Sequence, residues 1–145
     1  MSVPTGEDVR TPQPPPPVRG RRVALLAAIA VLVVAPYLAG VLVPYYVNDL
    51  DAVPLAEVAG GAHDPKDLWP EGTVGGLAQL AGLLSLSLTP IGLVTVLVAA
   101  LHGLFRRRPT PVLAVGLGLV ALGCLAGLAF FLSPLGSALI SWRLD

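Results

Sequence analysis

Three long runs of apolar residues, separated by polar stretches, dominate the pattern along this chain. Runs without any Asp, Glu, Lys or Arg cover about residues 23–47, 74–105 and 111–140. About 20 apolar residues in a helix suffice to cross the ~30 Å hydrocarbon core of a bilayer. Each run reaches that length, so the pattern predicts three transmembrane helices.

Only residues 106–110 separate the second run from the third. A connection this short makes its two helices antiparallel neighbours. Thr89-Pro90 and Ser133-Pro134 are the expected bends, because proline removes an amide donor from a helix. The sequence therefore predicts an all-α integral membrane protein with three transmembrane helices, of which the second and third form a tight antiparallel hairpin.

Two polar regions flank the first run. Residues 1–22 carry a run of four prolines, which lack amide donors and fix φ, so a disordered Pro/Arg-rich tail is expected there. The transmembrane domain then occupies 23–145. Residues 48–72 form a polar loop with six acids against Lys66 alone, and a short helical turn is expected over 55–59. Loops of that length are usually functional or disordered.

Composition supports a lipid environment. Of the 145 residues, 54% are hydrophobic and 12% are charged, whereas soluble domains carry about 25% charged residues. So little charge cannot cover a small globule, and the apolar excess must face something other than water. The preference for Arg over Lys, with abundant Ala, Gly, Leu, Val and Pro, indicates a GC-rich genome and favours a bacterial source.

The basic residues predict an orientation. Cytoplasmic flanks of membrane spans are enriched in Lys and Arg. The residues expected to determine topology flank the first run and fill the short connection: Arg19, Arg21, Arg22, Arg106, Arg107 and Arg108. We therefore expect a multi-pass protein of the bacterial plasma membrane. Its N-terminus would be cytoplasmic, and the acidic loop and the C-terminus would lie outside.

Residues suited to catalysis are scarce. Transport or proton relay usually places ionisable residues inside the membrane. Here only His102, Cys124 and tyrosines interrupt the runs; His102 is expected at the interface, and Cys124 as an apolar packing residue. His63 with nearby acids lacks the spacing of a zinc motif. We expect no catalytic residue, no metal, no cofactor and no nucleic-acid partner, and hence a protein that is not an enzyme.

Glycine is the one patterned feature of the third run. Gly116, Gly123 and Gly127 are spaced by seven and four residues, which places them on one helix face. Gly123 and Gly127 form a GxxxG, a pattern that lets two helix backbones approach closely in lipid. These three glycines are the predicted helix-packing residues, and the second span is their simplest partner.

Two functional hypotheses remain at this level. The first is a non-enzymatic accessory or assembly subunit of a larger membrane complex, whose partners are the lipid bilayer and another membrane protein or a second copy. The second is a small oligomeric transporter or channel component, with a pore lined by Ser85, Ser87 and Thr89.

Overall fold

The computed structural model describes residues 20–61, 72–106 and 109–144, and all regular structure in these ranges is helical. Three helices are long and apolar enough to cross a membrane: Gly20–Val47, Thr73–Phe105 and Pro111–Phe131. In chain order the elements are α1 (Gly20–Tyr37), a π-helical segment (Leu38–Leu42), α2 (Val43–Val47), a 3-10 turn (Leu50–Ala52), α3 (Leu55–Ala59), α4 (Thr73–Arg106), α5 (Pro111–Phe131) and α6 (Pro134–Leu144).

Two prolines shape the first long helix. Pro36 lies inside α1 and Pro44 at the beginning of α2, and neither has an amide donor. Between them the helix widens into a π turn, in which the Val43 N–H donates to the Leu38 carbonyl five residues earlier. The chain thus stays helical from residue 20 to residue 47.

The central element is α4. It runs for 34 residues, is continuous across Pro90 and at 1.5 Å per residue is about 50 Å long. It packs against both α1 and α5, which also contact each other. Leu93 and Val96 of α4 share one buried cluster with Cys124 of α5, and Ala100 shares another with Leu117.

The third long helix is shorter than the sequence pattern indicated. It ends at Phe131, whereas the apolar run continues to residue 140. Ser133 begins a separate helix: its hydroxyl accepts a hydrogen bond from Gly136 N–H at 3.1 Å and donates to the Phe130 carbonyl at 2.6 Å. A side-chain oxygen at the N-cap followed by proline at the first helical position is a strong start signal. Residues 134–140 therefore belong to α6.

The end cap is formed by α2, the 3-10 turn, α3 and α6. Helix α6 packs mainly against α3, and α2 continues from the π segment. The short helix expected over 55–59 is confirmed as α3. The expected tail over 1–19 and the part of the acidic loop over 62–71 lie outside the described residues, while Gly20, Arg21 and Arg22 already belong to α1.

Candidate functional site

Two helix backbones come close together where the π segment meets α4. A methyl group at Gly82 would lie 2.7 Å from the Gly40 carbonyl oxygen, and one at Gly40 would overlap the Gly82 backbone. Real Cβ atoms do not come within 3.0 Å of such neighbours. Both positions therefore require glycine, because any side chain would push the two backbones apart.

Hydroxyl groups lie along the same contact between the first long helix and α4, which we call the seam. The Thr89 hydroxyl donates to the Val33 carbonyl at 2.9 Å, which joins α4 to α1. Ser85 donates to Gly82 O at 2.6 Å within α4. Both side chains are buried, whereas Ser87 lies on an exposed face of the helix. The three residues considered as a pore lining are thus not brought together on one face.

A stripe of small residues explains this seam. Gly82, Ser85, Thr89 and Gly92 follow one another at spacings of three, four and three, so they share one face of α4. Gly92 lies against the Val33 side chain, close enough that an added methyl would overlap it. The spacing is present in the sequence, but nothing in it indicates that Thr89 donates to a carbonyl of α1.

The three glycines predicted to pack are placed differently. A methyl group at Gly127 would lie 2.9 Å from Leu93 Cδ1 of α4, and one at Gly116 would lie 3.0 Å from Val23 Cγ1 of α1. A methyl group at Gly123 would meet nothing within 4 Å. Gly123 instead lines an apolar cleft of about 440 Å³ between α1 and α5. The structure therefore places two of the three glycines in contacts, and with two different helices.

The end cap has an aromatic core. Tyr37 and Tyr45 from the first long helix, Val58 of α3, and Leu139 and Trp142 of α6 are each at most 3% exposed. Tyr37 packs on Phe131 with ring centroids 4.8 Å apart, and Tyr45 packs on Trp142 at 6.4 Å. Such ring pairs add stabilisation beyond the area they bury. This core fixes α3 and α6 to the ends of the long helices.

One cation lies inside the end cap. Arg143 is 8% exposed, and its Nη2 donates to the Gln79 carbonyl of α4 at 3.0 Å. Its Nε is buried without a hydrogen-bond partner among the described residues. Burial lowers the pKa of Arg143, because a low-dielectric surrounding disfavours the charged form. Nothing in the local sequence of Arg143 indicates that it is buried.

The surface of the end cap is acidic. Asp49, Asp51 and Glu57 are exposed, and Asp49 has a φ of 54° in the left-handed region. Asp and Asn are the non-glycine residues that tolerate this conformation best. The sequence adds further acids within 62–71, outside the described residues. The described carboxylates project from the turn and the helix that follow α2.

The opposite end of the helices is basic. Arg21 and Arg22 in the first turn of α1 are exposed, as is His102 in the last turn of α4. Of the other residues expected to determine topology, Arg106 ends α4, and Arg19, Arg107 and Arg108 lie outside the described residues. The acidic end cap and the basic end are thus separated by the length of the long helices.

Reactive and metal-binding side chains are sparse among the described residues. Among the described residues, no group of three from His, Cys, Asp and Glu lies close enough to hold a metal ion. Cys124 is buried, and His63, Asp64 and Asp67 lie outside the described ranges.

In comparisons with known proteins, no family, no curated protein and no solved structure matches this chain.

Proposed function

We propose that the three long helices cross a membrane and that the protein acts there by association, as a non-enzymatic accessory or assembly subunit of a larger complex. Insertion is supported by the outward-facing side chains. Leu32, Ile91 and Leu119 on the three helices are 71%, 63% and 65% exposed. Apolar patches of this extent are rare on soluble monomers, and hydrocarbon accommodates them without cost.

The proposed orientation follows from charge. We place the basic end in the cytoplasm of a bacterium and the acidic end cap outside its plasma membrane, because cytoplasmic flanks are enriched in Arg. Helices α4 and α5 then form a hairpin around residues 107–110. Helix α6 has 11 residues, about 16 Å in length, which is too short to cross back. The C-terminus accordingly stays on the side of the end cap.

The end cap is the feature that carries the proposed association. A packed aromatic core supports the short elements that carry the exposed carboxylates Asp49, Asp51 and Glu57. Charges held on a packed scaffold lower the entropy cost of binding a partner of opposite charge. They also steer the approach of that partner. We propose that the partner is a membrane protein that presents a basic segment on the outer side.

The pore hypothesis receives less support from the same geometry. A pore needs polar groups that face one water-filled path. Ser85 and Thr89 face α1 and bond to backbone carbonyls, while Ser87 lies on another face. Hydroxyls that already bond inside one protomer are poorly placed to replace the water around a passing solute, so association is favoured over transport.

Affinity purification in mild detergent, with identification of partners by mass spectrometry, tests the proposal. We expect one membrane protein to be recovered with the natural chain. The triple variant Asp49→Asn/Asp51→Asn/Glu57→Gln should reduce its recovery about tenfold, as expected for the loss of three rim charges worth a fraction of a kcal/mol each. Asparagine keeps the left-handed conformation at position 49 accessible, so the fold is preserved.

The matched control is Arg21→Gln, which removes a charge at the basic end and should leave recovery unchanged. Equal recovery with all three proteins would contradict an interface at the end cap. Recovery of the chain alone, together with ion or solute flux in liposomes that contain only this protein, would contradict the subunit role and favour the channel hypothesis.

A further inference from the structure

A small cavity lies at the basic end, where the first turn of α1 meets the last turns of α4 and the first turns of α5. Its volume is about 160 Å³. Each helix contributes residues from adjacent turns of one face. The lining residues are Arg22 and Leu26 of α1, Ala99, His102 and Gly103 of α4, and Leu113 and Leu117 of α5.

The lining divides into a polar part and an apolar part. Arg22 and His102 are exposed, and both carry nitrogen donors. Leu117 on the apolar side is 4% exposed, and a methyl group at Gly103 would lie 3.1 Å from its Cδ1. The absence of a side chain at Gly103 therefore leaves room for the cavity, which offers a guanidinium and an imidazole on one side and hydrocarbon on the other.

The charge of Arg22 is not balanced by the helices that form the cavity. No Asp or Glu occurs in α1, α4 or α5, and Arg21 is the next residue to Arg22. A guanidinium group without a carboxylate on the elements around it favours an external anion, for which its planar donors suit phosphate.

We propose that this cavity binds an anionic phospholipid from the membrane leaflet that surrounds the basic end. The phosphate lies between Arg22 and His102, and the glycerol and first methylene groups rest on Leu26, Leu113 and Leu117. Basic pockets between membrane helices on the cytoplasmic side are known to recognise anionic head groups. The inference depends on the proposed membrane insertion and orientation, but on no protein partner.

The dimensions and chemistry of the cavity favour a lipid over other ligands. A partner helix is about 10–12 Å across with its side chains. A helix of that width does not fit into a cavity of about 160 Å³. A free phosphate could bond to the Arg22 guanidinium and the His102 imidazole but would leave the leucine-lined part unfilled. Only an amphiphile satisfies both parts of the lining, so the acyl portion contributes to binding.

Lipid binding to the purified protein in detergent tests the proposal. The probes are short-chain phosphatidylglycerol, short-chain phosphatidylcholine and glycerol phosphate, and the readouts are native mass spectrometry and the shift in thermal stability. We expect phosphatidylglycerol to bind and to stabilise the protein, and the other two probes to bind more weakly. Arg22→Gln should weaken phosphatidylglycerol binding about fivefold, the size expected for one basic residue near a lipid head group.

Two variants separate a defined site from general attraction. Arg21→Gln removes the same charge one residue away, outside the cavity, and should change affinity less than twofold. Arg22→Lys keeps the charge but loses the planar donors, so its affinity should lie between those of the natural chain and Arg22→Gln. Equal losses for Arg21→Gln and Arg22→Gln, equal binding of both lipids, or equal binding of glycerol phosphate and phosphatidylglycerol would each overturn the proposal. Partner recovery through the end cap is measured separately, so the two proposals can fail independently.

Discussion

At the scale of single residues, the small side chains of α4 determine how closely α1 can approach. In lipid no hydrophobic force drives helices together, so close packing and hydrogen bonds must do so. Gly82 admits the Gly40 backbone, and Thr89 donates to a carbonyl of the neighbouring helix. The sequence predicts the same packing role for the glycines of α5, but Gly123 faces an open cleft.

Replacing Gly40 with Ala should destabilise the protein. An added methyl group would overlap the Gly82 backbone, which cannot move aside as a flexible side chain could. We expect a loss of about 1–3 kcal/mol in the free energy of unfolding, as for other overpacked sites. Gly118→Ala is the control: nothing lies within 4 Å, so the removal of helical glycine should be neutral or stabilising by about 0.5–1 kcal/mol.

Thermal or denaturant unfolding in detergent measures both variants side by side. Opposite signs at the two positions would support the close contact between Gly40 and Gly82. A change of equal size and sign at both would mean that only the intrinsic helix propensity of glycine is at work.

Thr89→Val should weaken the contact between α1 and α4. Valine keeps the branched shape but removes the hydroxyl that donates to Val33 O. We expect a loss of about 0.6–1.7 kcal/mol, the range found for hydrogen bonds between membrane helices. Thr95→Val removes a hydroxyl that only bonds back to Ile91 O on an exposed face, so it should have little effect. Similar unfolding curves for the two variants would argue against a specific role of the bond to Val33.

At the scale of elements, the end of α5 changes the role of the C-terminal residues. Leu132 and Ser133 interrupt the helix, and Gly136 permits the tight corner that follows, because any side chain there would overlap the Phe130 carbonyl. Helix α6 can therefore lie on α3 and bring Trp142 and Arg143 into the end cap. An uninterrupted helix would have carried both residues away from that core.

Ser133→Ala should loosen this corner. The substitution removes both the acceptor for Gly136 N–H and the donor to Phe130 O, and the loss of an N-cap costs about 1 kcal/mol. Ser137→Ala, which removes only an exposed bond to Pro134 O, should change stability by less than about 0.5 kcal/mol. Hydrogen exchange of the α6 amides would report the difference, with faster exchange expected in Ser133→Ala alone. Unchanged α6 protection would show that packing on α3 suffices without the cap.

At the scale of the whole molecule, charge is divided between the two ends. Arg21 and Arg22 lie at the end where α1 begins, and Asp49, Asp51 and Glu57 lie on the end cap. The apolar helices between them leave no charged side chain at mid-depth among the described residues. This distribution favours a single orientation in a membrane.

Cysteine labelling tests that orientation. In a Cys124→Ala background, a cysteine at Asp51 should react with a membrane-impermeant thiol reagent in intact cells, and a cysteine at Thr110 should not. Both positions are exposed, so protection at Thr110 would reflect the membrane barrier rather than burial. After permeabilisation the Thr110 variant should react fully. Labelling of Thr110→Cys in intact cells would reverse the proposed orientation.

The number of long helices and their approximate limits follow from local properties of the sequence. Length and the absence of charge are local properties of the chain, and a helix satisfies its backbone hydrogen bonds within one such apolar run. The small helix over 55–59 was also predictable, since Pro54 precedes it and Gly60 follows it. These features depend on neighbours along the chain and not on distant contacts.

Which helix faces meet depends on contacts between residues far apart in the chain. A glycine permits close approach, but its partner helix depends on how neighbouring helices cross, so Gly127 contacts α4, Gly116 contacts α1 and Gly123 contacts neither. Likewise, the Ser133-Pro134 pair indicates a bend in the sequence, but the packing of α6 on α3 after that bend depends on contacts between distant parts of the chain. Contacts between residues far apart in sequence, such as Arg143 with Gln79, therefore shape the end cap and the seams between the helices.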